Sequence, residues 1–141
     1  MQEKIYVAGP MRGVPQFNVP LFHFASKMLR DRGHFVVSPA EADSPEIQAL
    51  ALASLDGVFT PEMKGHETMG EILGRDVRLV IDEIDTVVFL PGWDESTGAK
   101  LEAFVGLLHR KKFGRFETRS STGYEPLTSE HVSYYLKGTL R

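Results

Sequence analysis

Residues 5–13, IYVAGPMRG, set the expectation for the fold, because a short apolar strand runs directly into a glycine-proline turn. The run from residue 5 to residue 8 is continuously apolar, as strands buried on both faces of a parallel sheet are. Gly9 and Pro10 end this strand, and Arg12 follows at once. An arginine offers a planar fork of donors to a phosphate or a carboxylate. The turn is therefore either an exposed surface feature or one wall of a pocket for an anion, and its own residues favour neither.

The residues after this turn predict a unit of strand, helix and strand. Asn18 is a typical N-cap for a helix whose first residue is Val19 or Pro20, and Gly33 ends that helix. Residues 35–37, FVV, then form the second strand.

The same alternation continues along most of the chain. The clearest strand is TVVFL at residues 86–90. The other predicted elements are helices at residues 44–55, 71–83, 98–110 and 129–140, loops at residues 57–70 and 91–97, and an edge strand at residues 113–117. Strands that alternate with helices indicate an α/β domain whose mainly parallel sheet is covered by helices on both faces. We expect residues 1–141 to form a single domain.

Length and composition are typical of one soluble globular domain and exclude several classes of protein. The chain has 141 residues, of which 42% are apolar and 25% charged, and its net charge is −3. This charge gives no reason to expect binding to a nucleic-acid polymer. The absence of cysteine excludes disulfides and thiolate chemistry. No apolar run approaches the ~18 residues of a membrane span, and the N-terminus does not resemble a secretory signal, so we expect a cytoplasmic protein with no membrane partner.

Two predicted loops follow strands at the carboxyl edge of the sheet, where α/β proteins bind their ligands. They are residues 9–13 and 91–98, and they are neighbours if their strands pair. Gly9 and Gly13 would let a ligand approach the backbone closely.

The second loop leads into a helix with a candidate reactive group. Glu102 lies four residues after Gly98, about one helical turn into this helix. Ser96, Thr97 and the first N–H groups of the helix are donors that suit a phosphate. The alternative is that Ser96 or Thr97 only caps the helix and that Glu102 is solvated, and spacing alone favours this alternative. Asp76, on the preceding predicted helix, is by spacing alone most often a surface charge.

Metal and cofactor sites have no support in the sequence. The five histidines are scattered, and none has the spacing of a metal site. The Walker A, GxGxxG and GxSxG patterns are also missing, so kinase and dehydrogenase functions lack their motifs. We expect neither a metal nor a cofactor.

Three segments of the chain resemble the nucleoside 2-deoxyribosyltransferase family, in particular its branch of 2′-deoxynucleoside 5′-phosphate N-hydrolases. IYVAGPMRG resembles the family's first strand and turn, RDVRLVIDEIDTVVFL its aspartate-bearing helix and next strand, and STGAKLEAFVG its Gly-x-x-x-Glu helix start. Together they cover most of residues 5–106. The chain is also similar to small, largely uncharacterised phage and bacterial proteins related to this family. The resemblance implies a flavodoxin-like (Rossmann-like) three-layer sandwich with a four- to five-stranded, mainly parallel sheet.

Carried over by position, the resemblance implies three catalytic residues. Glu102 would attack the anomeric carbon of the deoxyribose, Tyr6 would orient Glu102 by a hydrogen bond, and Asp76 would help to protonate the departing base. An anion beside the sugar carbon stabilises its oxocarbenium-like transition state and can capture that carbon. Water as the second reactant gives hydrolysis, and a second base gives transfer.

The resemblance also implies a site for the 5′ end of a deoxynucleotide. The predicted substrate-binding residues are Gly9, Met11, Arg12, Gly13, Ser96 and Gly98. Transferases that act on unphosphorylated nucleosides tend to have an aspartate in place of Ser96, and an aspartate would repel a phosphate. Ser96 with Arg12 therefore favours a 5′-monophosphate. Pro10 and Val14 depart from the serine and glycine typical of the hydrolase turn, which removes a hydroxyl and a backbone donor.

Alternatives to hydrolysis stay open. They are transfer between bases, including modified ones, a nucleotide-binding or sensing module without turnover, and an interaction protein on the same fold. The resemblance further implies a homo-oligomer, in which Ser120, Ser121 or Tyr124 completes a neighbour's phosphate site.

Overall fold

The computed structural model describes residues 2–64 and 68–138, which contain a five-stranded sheet with helices on both faces. The strands are β1 (Lys4–Ala8), β2 (Phe35–Val37), β3 (Thr86–Phe89), β4 (Lys112–Phe116) and β5 (Tyr124–Leu127). The helices are α1 (Val19–Asp31), α2 (Pro39–Ala42), α3 (Pro45–Ala53), α4 (Pro61–Lys64), α5 (Met69–Glu83), α6 (Thr97–Leu108) and α7 (Ser129–Leu136). Short 3₁₀ turns are formed by Pro15–Asn18 and Trp93–Glu95.

The strands lie in the order β2-β1-β3-β4-β5, which is the order of flavodoxin-like folds. The first four are parallel, and β5 pairs with β4 in the antiparallel direction. In the central pair, Ile5 lies opposite Thr86 and Ala8 opposite Phe89. The backbone pairing continues one residue further, because Leu90 N donates to Ala8 O at 2.8 Å. The predicted fold class is confirmed.

Strand β1 separates two hydrophobic cores. Ile5 and Val7 belong to the core under α1 and α3, whereas Tyr6 and Ala8 belong to the core under α5, α6 and α7. This division follows from the strand itself, because successive side chains point to opposite faces of a sheet. It directs the phenol of Tyr6 toward the helices that carry the two candidate carboxyl groups.

The region after residue 110 differs from the prediction. Residues 113–117 are predicted to form an edge strand. The strand is confirmed as β4, but its position at the edge is wrong, because β4 pairs with β3 on one side and β5 on the other. Strand β5 was not predicted, and it is the edge. Pro126, opposite Gly114, fits there because proline cannot donate a ladder hydrogen bond and is tolerated on edge strands.

The predicted loop at residues 57–70 is also partly wrong. It contains the short helix α4, and α5 begins at Met69. Residues 65–67 of this loop lie outside the described residues, as do residues 139–141, which include the end of the last predicted helix.

Asn18 precedes α1 as predicted, but its side chain does not cap the helix. Its Nδ2 instead donates to Pro10 O at 2.9 Å, within the turn after β1. Gln16, Phe17 and Asn18 all have left-handed backbone angles, with φ of 58°, 51° and 61°. Such angles are uncommon outside glycine. Gln16 N donates to Ser54 O at 2.8 Å, so tertiary contact with the end of α3 holds this turn.

Candidate functional site

Three side chains from three elements meet on the face of the sheet that α5 and α6 cover. Tyr6 lies on β1, Asp76 on α5 and Glu102 on α6. The Tyr6 hydroxyl donates a hydrogen bond to Oε2 of Glu102, and charge interactions link both residues to Asp76. Tyr6 is fully buried, and Glu102 and Asp76 are each 5% exposed. The structure thus brings together the three residues that the sequence suggests as catalytic.

Helical periodicity directs both carboxyl groups inward. On α6, Glu102 lies on the same buried face as Ala99 and Ala103, whose small side chains let the helix approach the sheet. On α5, Asp76 and Val80 are buried four residues apart, which places them on one face of the helix. Glu102 and Asp76 therefore occupy positions where apolar residues are the rule, and this burial is the first sign of a specialised role.

Burial dominates the electrostatics of the three groups. It raises the pKa of the Glu102 carboxyl well above its ordinary value, while the Tyr6 hydrogen bond opposes this rise and the charge of Asp76 adds to it. Burial also raises the pKa of Asp76 and, together with both carboxylates, raises the pKa of Tyr6 well above its ordinary value. Two interacting carboxyl groups share protons as a pair. Such pairs suit chemistry in which one carboxyl acts as a base or nucleophile and the other as an acid.

Two residues that the sequence did not single out complete the surroundings of Asp76. The Nε of Arg75 lies 3.3 Å from Oδ1 of Asp76, and its Nη2 lies 3.5 Å from Oδ1 of Asp43. Asp43 directly follows α2, in the segment between β2 and α3. The only sequence signal was an arginine adjacent to a candidate acid, and nothing in the spacing linked either residue to Asp43.

The two loops after β1 and β3 are neighbours, as predicted. A Cβ added to Gly9 would lie 2.8 Å from Cβ of Leu90, and one added to Gly92 would lie 3.3 Å from Cγ of Pro10. Gly9 is therefore required by contact with Leu90. Its missing side chain makes room for Leu90, and the prediction that Gly9 lets a ligand approach the backbone stays a prediction.

Arg12, in the rest of the first loop, is exposed and its guanidinium group lies near the start of α5. The Arg12 guanidinium carbon lies 5.4 Å from the centre of the Phe59 ring, and its Nη2 lies 2.8 Å from Sδ of Met69, the first residue of α5. Gly13 has a φ of 77°, a left-handed angle that favours glycine. Met11 is half-buried against the core under α1 and α3. Arg12 thus lies at the amino end of the helix that carries Asp76.

The start of α6 combines capping with a buried carboxyl group. Oγ of Ser96 accepts a hydrogen bond from Ala99 N at 3.3 Å, so Ser96 caps the helix as one interpretation of the sequence held. The second half of that interpretation, a solvated Glu102, is wrong. A hydroxyl that accepts can still donate, so capping does not remove Ser96 as a phosphate ligand. Gly98 is half-buried, and a Cβ there would lie 3.8 Å from Leu73 Cδ2.

Three further side chains, those of Trp93, Ser120 and Tyr124, make contacts within the described part of the chain. The Trp93 ring is buried and stacks on Phe89 with centroids 4.1 Å apart, so it covers the core. The hydroxyl of Tyr124 donates to Oε2 of Glu3 at 2.5 Å, and the hydroxyl of Ser120 donates to Tyr124 O at 2.8 Å. Tyr124 is therefore hydrogen-bonded within this chain, at the end of the sheet where β1 begins.

Two kinds of feature are missing from residues 2–64 and 68–138. No group of three or more histidine, aspartate or glutamate side chains there is arranged to hold a metal ion. Within the same ranges, no helix has the length and apolar character needed to cross a lipid bilayer.

The strand order, with two buried carboxyl groups and a buried phenol beneath α5 and α6, defines a flavodoxin-like α/β protein with a candidate acid–base site. The model of a family described as a domain of unknown function (DUF4406) matches residues 3–112. This span includes Tyr6, Asp76 and Glu102, and the chain belongs to this family. No curated protein and no solved structure matches the chain.

Proposed function

We propose that the protein cleaves the N-glycosidic bond of a 2′-deoxynucleoside 5′-monophosphate, with Glu102 as the nucleophile. The observation that carries this proposal is the convergence of Tyr6, Glu102 and Asp76 in a buried position. Burying two carboxyl groups in one domain is costly unless they are neutralised or paired, so a site that retains both suggests chemistry. The resemblance to nucleoside 2-deoxyribosyltransferases supplies the reaction type.

The proposed reaction has two steps. In the first, a Glu102 oxygen bonds to C1′ of the deoxyribose, the bond between C1′ and the base nitrogen breaks, and Asp76 gives a proton to the departing base. In the second, water attacks C1′, the ester to Glu102 breaks, and the proton lost by water returns to Asp76. Tyr6 donates to the Glu102 oxygen and fixes its direction of attack.

Arg12 in the first loop and Ser96 in the second support a phosphorylated substrate, whereas Asp94 and Glu95 add negative charge to the second loop and oppose it. Arg12 is exposed at the amino end of α5, and Ser96 is uncharged at the start of α6. A phosphate dianion favours a guanidinium and a hydroxyl over a carboxylate. Comparing a deoxynucleoside monophosphate with the matching deoxynucleoside tests this part. Equal rates and affinities for the two compounds would remove the role of Arg12 and Ser96.

A non-catalytic nucleotide-binding or sensing function is the second candidate, and one observation favours it. Because burial raises the pKa of Glu102, this carboxyl holds its proton more strongly than an ordinary glutamate. A protonated carboxyl does not attack carbon. Binding of deoxynucleotides without base release by the unaltered protein would support this function. Transfer of the deoxyribose to a second base, in place of water, is the remaining enzymatic variant and is detected by adding that base.

The decisive experiment measures release of free base by chromatography from a panel of deoxynucleoside monophosphates that includes modified bases. We expect the unaltered protein to release base and Glu102→Ala to lose this activity by about 10⁴-fold or more while still binding nucleotide. Glu130→Ala is the matched control, because Glu130 is an exposed glutamate in the first turn of α7. Base release by Glu102→Ala at the unaltered rate would contradict the proposal.

We further infer a cytoplasmic homo-oligomer, as the resemblance implies, acting in phage or bacterial nucleotide metabolism. Phe104 and Leu108 lie four residues apart on α6 and are 37% and 64% exposed, which gives one apolar surface for a second copy. Analytical ultracentrifugation tests this, and a monomer at micromolar concentration would contradict it.

A further inference from the structure

The guanidinium of Arg75 faces a different partner with each of its three nitrogens. Nε lies 3.3 Å from Oδ1 of Asp76, Nη2 lies 3.5 Å from Oδ1 of Asp43, and Nη1 lies 3.5 Å from the carbonyl oxygen of Ala42. Ala42 ends α2, and Asp43 joins it to α3. Arg75 therefore connects α5 to the segment that follows β2.

This contact differs from an ordinary surface ion pair. The side chains of Arg75, Asp43 and Asp76 are 26%, 21% and 7% exposed. For comparison, the pair formed by Arg78 and Asp82 on the same helix is 84% and 60% exposed, with its atoms 3.7 Å apart. Exposed pairs of that kind contribute little. The Arg75 contact is partly desolvated and ends on one of the three candidate catalytic residues.

We infer that Arg75 is a positioning residue: anchored on Asp43 and Ala42, it holds the Asp76 carboxyl group beside the Tyr6–Glu102 pair. This inference rests on the proposed function, because positioning has a purpose only if Asp76 transfers a proton. The three-way contact requires a guanidinium, since a lysine offers the charge but only one nitrogen.

Within residues 2–64 and 68–138, four groups act on Asp76 in addition to its burial. They are Arg75 on its own helix, Asp43 after α2, Tyr6 on β1 and Glu102 on α6. Burial raises the pKa of the Asp76 carboxyl, and the charge and hydrogen bond of Arg75 lower it. The charge of Asp43 raises that pKa, and the Tyr6 hydroxyl lowers it. Arg75 and Asp43 thus act on Asp76 in opposite directions although they contact each other.

This opposition tests whether Asp76 is the acid on which both charges act. If Asp76 is the acid, the alkaline limb of the pH profile of kcat/KM reports its ionisation. Arg75→Gln removes the cation, so the limb moves to higher pH. Asp43→Asn removes the anion, so the limb moves to lower pH. A bridge that only stabilised the fold would lower the stability of both variants without lowering kcat, so the limb is interpreted together with kcat.

The fork geometry is tested through kcat. Loss of positioning in Arg75→Gln is expected to lower kcat by about ten- to a hundred-fold, with a smaller change in KM. Arg75→Lys retains the charge without the three-way contact. Its limb should therefore stay near that of the unaltered protein while its kcat falls. Arg78→Gln is the matched control and should change neither quantity, because Arg78 lies on the exposed face of the same helix.

A second measurement separates this inference from the proposed function. The titration of the Asp76 carboxyl carbon is followed by ¹³C NMR in the ligand-free protein and in the same variants. If the unaltered protein releases no base, the proposed function is wrong, and opposite displacements of this titration would still support the contact with Arg75. The inference would be overturned if Arg75→Gln and Asp43→Asn moved the alkaline limb, or the Asp76 titration, in the same direction. It would also be overturned if neither variant moved them. Unchanged kcat in Arg75→Gln, with base release by the unaltered protein, would also overturn it.

Discussion

Two tyrosine–glutamate hydrogen bonds in this protein have opposite consequences for their carboxyl groups. The hydroxyl of Tyr6 donates to Glu102 between the sheet and α6, and the hydroxyl of Tyr124 donates to Glu3 at the opposite end of the sheet. Burial raises the pKa of Glu102 well above its ordinary value. The pKa of Glu3 is lowered. A tyrosine–glutamate hydrogen bond thus accompanies a stabilised carboxylate at Glu3 and a destabilised carboxylate at Glu102.

The number of donors and the access of solvent explain the difference. Partial burial alone would raise the pKa of Glu3, but hydrogen bonds from Tyr124, Thr86 and Lys112 outweigh it. Its Oε2 accepts from Thr86 Oγ1 at 2.8 Å, and Nζ of Lys112 lies 3.3 Å from its Oε1. Glu102 is more deeply buried, with Tyr6 as its donor and the negative charge of Asp76 nearby. A carboxylate with several hydrogen-bond donors, such as Glu3, stays charged and links structural elements. A carboxylate with one donor and a negative neighbour, such as Glu102, binds a proton or an electrophile more readily.

The largest difference expected between the two tyrosines is in the rate of base release. Tyr6→Phe removes the hydrogen bond that directs the Glu102 oxygen, so base release should fall by about 10²-fold. Tyr124→Phe removes the corresponding bond to Glu3 and should leave base release unchanged. Chromatography of released base measures both, with circular dichroism to confirm folding. Equal rates for the two variants would show that the difference between the pairs has no catalytic meaning.

The next prediction concerns a substitution that disrupts the hydrogen bond between Tyr124 and Glu3 without changing either residue. A Cβ on Gly114 would lie 2.3 Å from Cδ2 of Tyr124. Gly114→Ala therefore forces the Tyr124 ring away from Glu3 and should cost about 1–3 kcal/mol of unfolding free energy. Gly74→Ala is the control, because nothing lies within 4 Å of its added Cβ and alanine favours helices. Urea denaturation measures both, and equal midpoints would contradict the close contact.

The two glutamates should also respond oppositely to pH. The raised pKa of Glu102 contributes stability below its unfolded pKa, which is lost as pH rises through the folded value. Glu102→Gln should therefore gain stability over the unaltered protein as pH rises. The lowered pKa of Glu3 contributes stability above its unfolded pKa, which is lost as pH falls through the folded value. Glu3→Gln should cost about 1–2 kcal/mol at neutral pH and less in acid.

Urea denaturation between pH 4 and pH 8 checks this opposition. Stability differences that change with pH in the same direction for Glu102→Gln and Glu3→Gln would contradict it. The slopes are informative even if either variant is less stable throughout.

The smallest expected effect concerns two helix caps. Ser96 caps α6 at the candidate site, and Thr128 caps α7 in the tail, where its Oγ1 accepts from His131 N at 3.1 Å. Each alanine substitution should cost about 1 kcal/mol of unfolding free energy. Only Ser96→Ala should reduce the preference for a nucleotide over the nucleoside. A preference that both variants retain in full would limit Ser96 to its capping role.

Local patterns predicted most of the fold because the parallel strands have strong signals. Residues 35–37 and 86–90 are short apolar runs bounded by turns or helices, and they appear as β2 and β3 with little change in their ends. Strand β5 has no such signal, since Tyr124–Leu127 contains a proline and a glutamate. Without β5, the sequence offers β4 no second neighbour, and the incorrect prediction of an edge strand follows from that.

The candidate site was only partly visible for a related reason. Glu102 and Tyr6 were identified through resemblance, while spacing alone favoured a solvated Glu102. The Arg75 contact depends on where the segment after β2 meets α5, and no periodicity within α5 reports that. Gly9 shows the same limit, because its requirement comes from Leu90, the residue after β3.

The hydrogen bond between Tyr6 and Glu102 joins residues 96 positions apart in the chain. During synthesis, Tyr6 is made 96 residues before Glu102, so the phenol has no acceptor until α6 has followed it. A chain released before that point has the first loop and its arginine but not the buried tyrosine–glutamate pair, so it cannot form the candidate site.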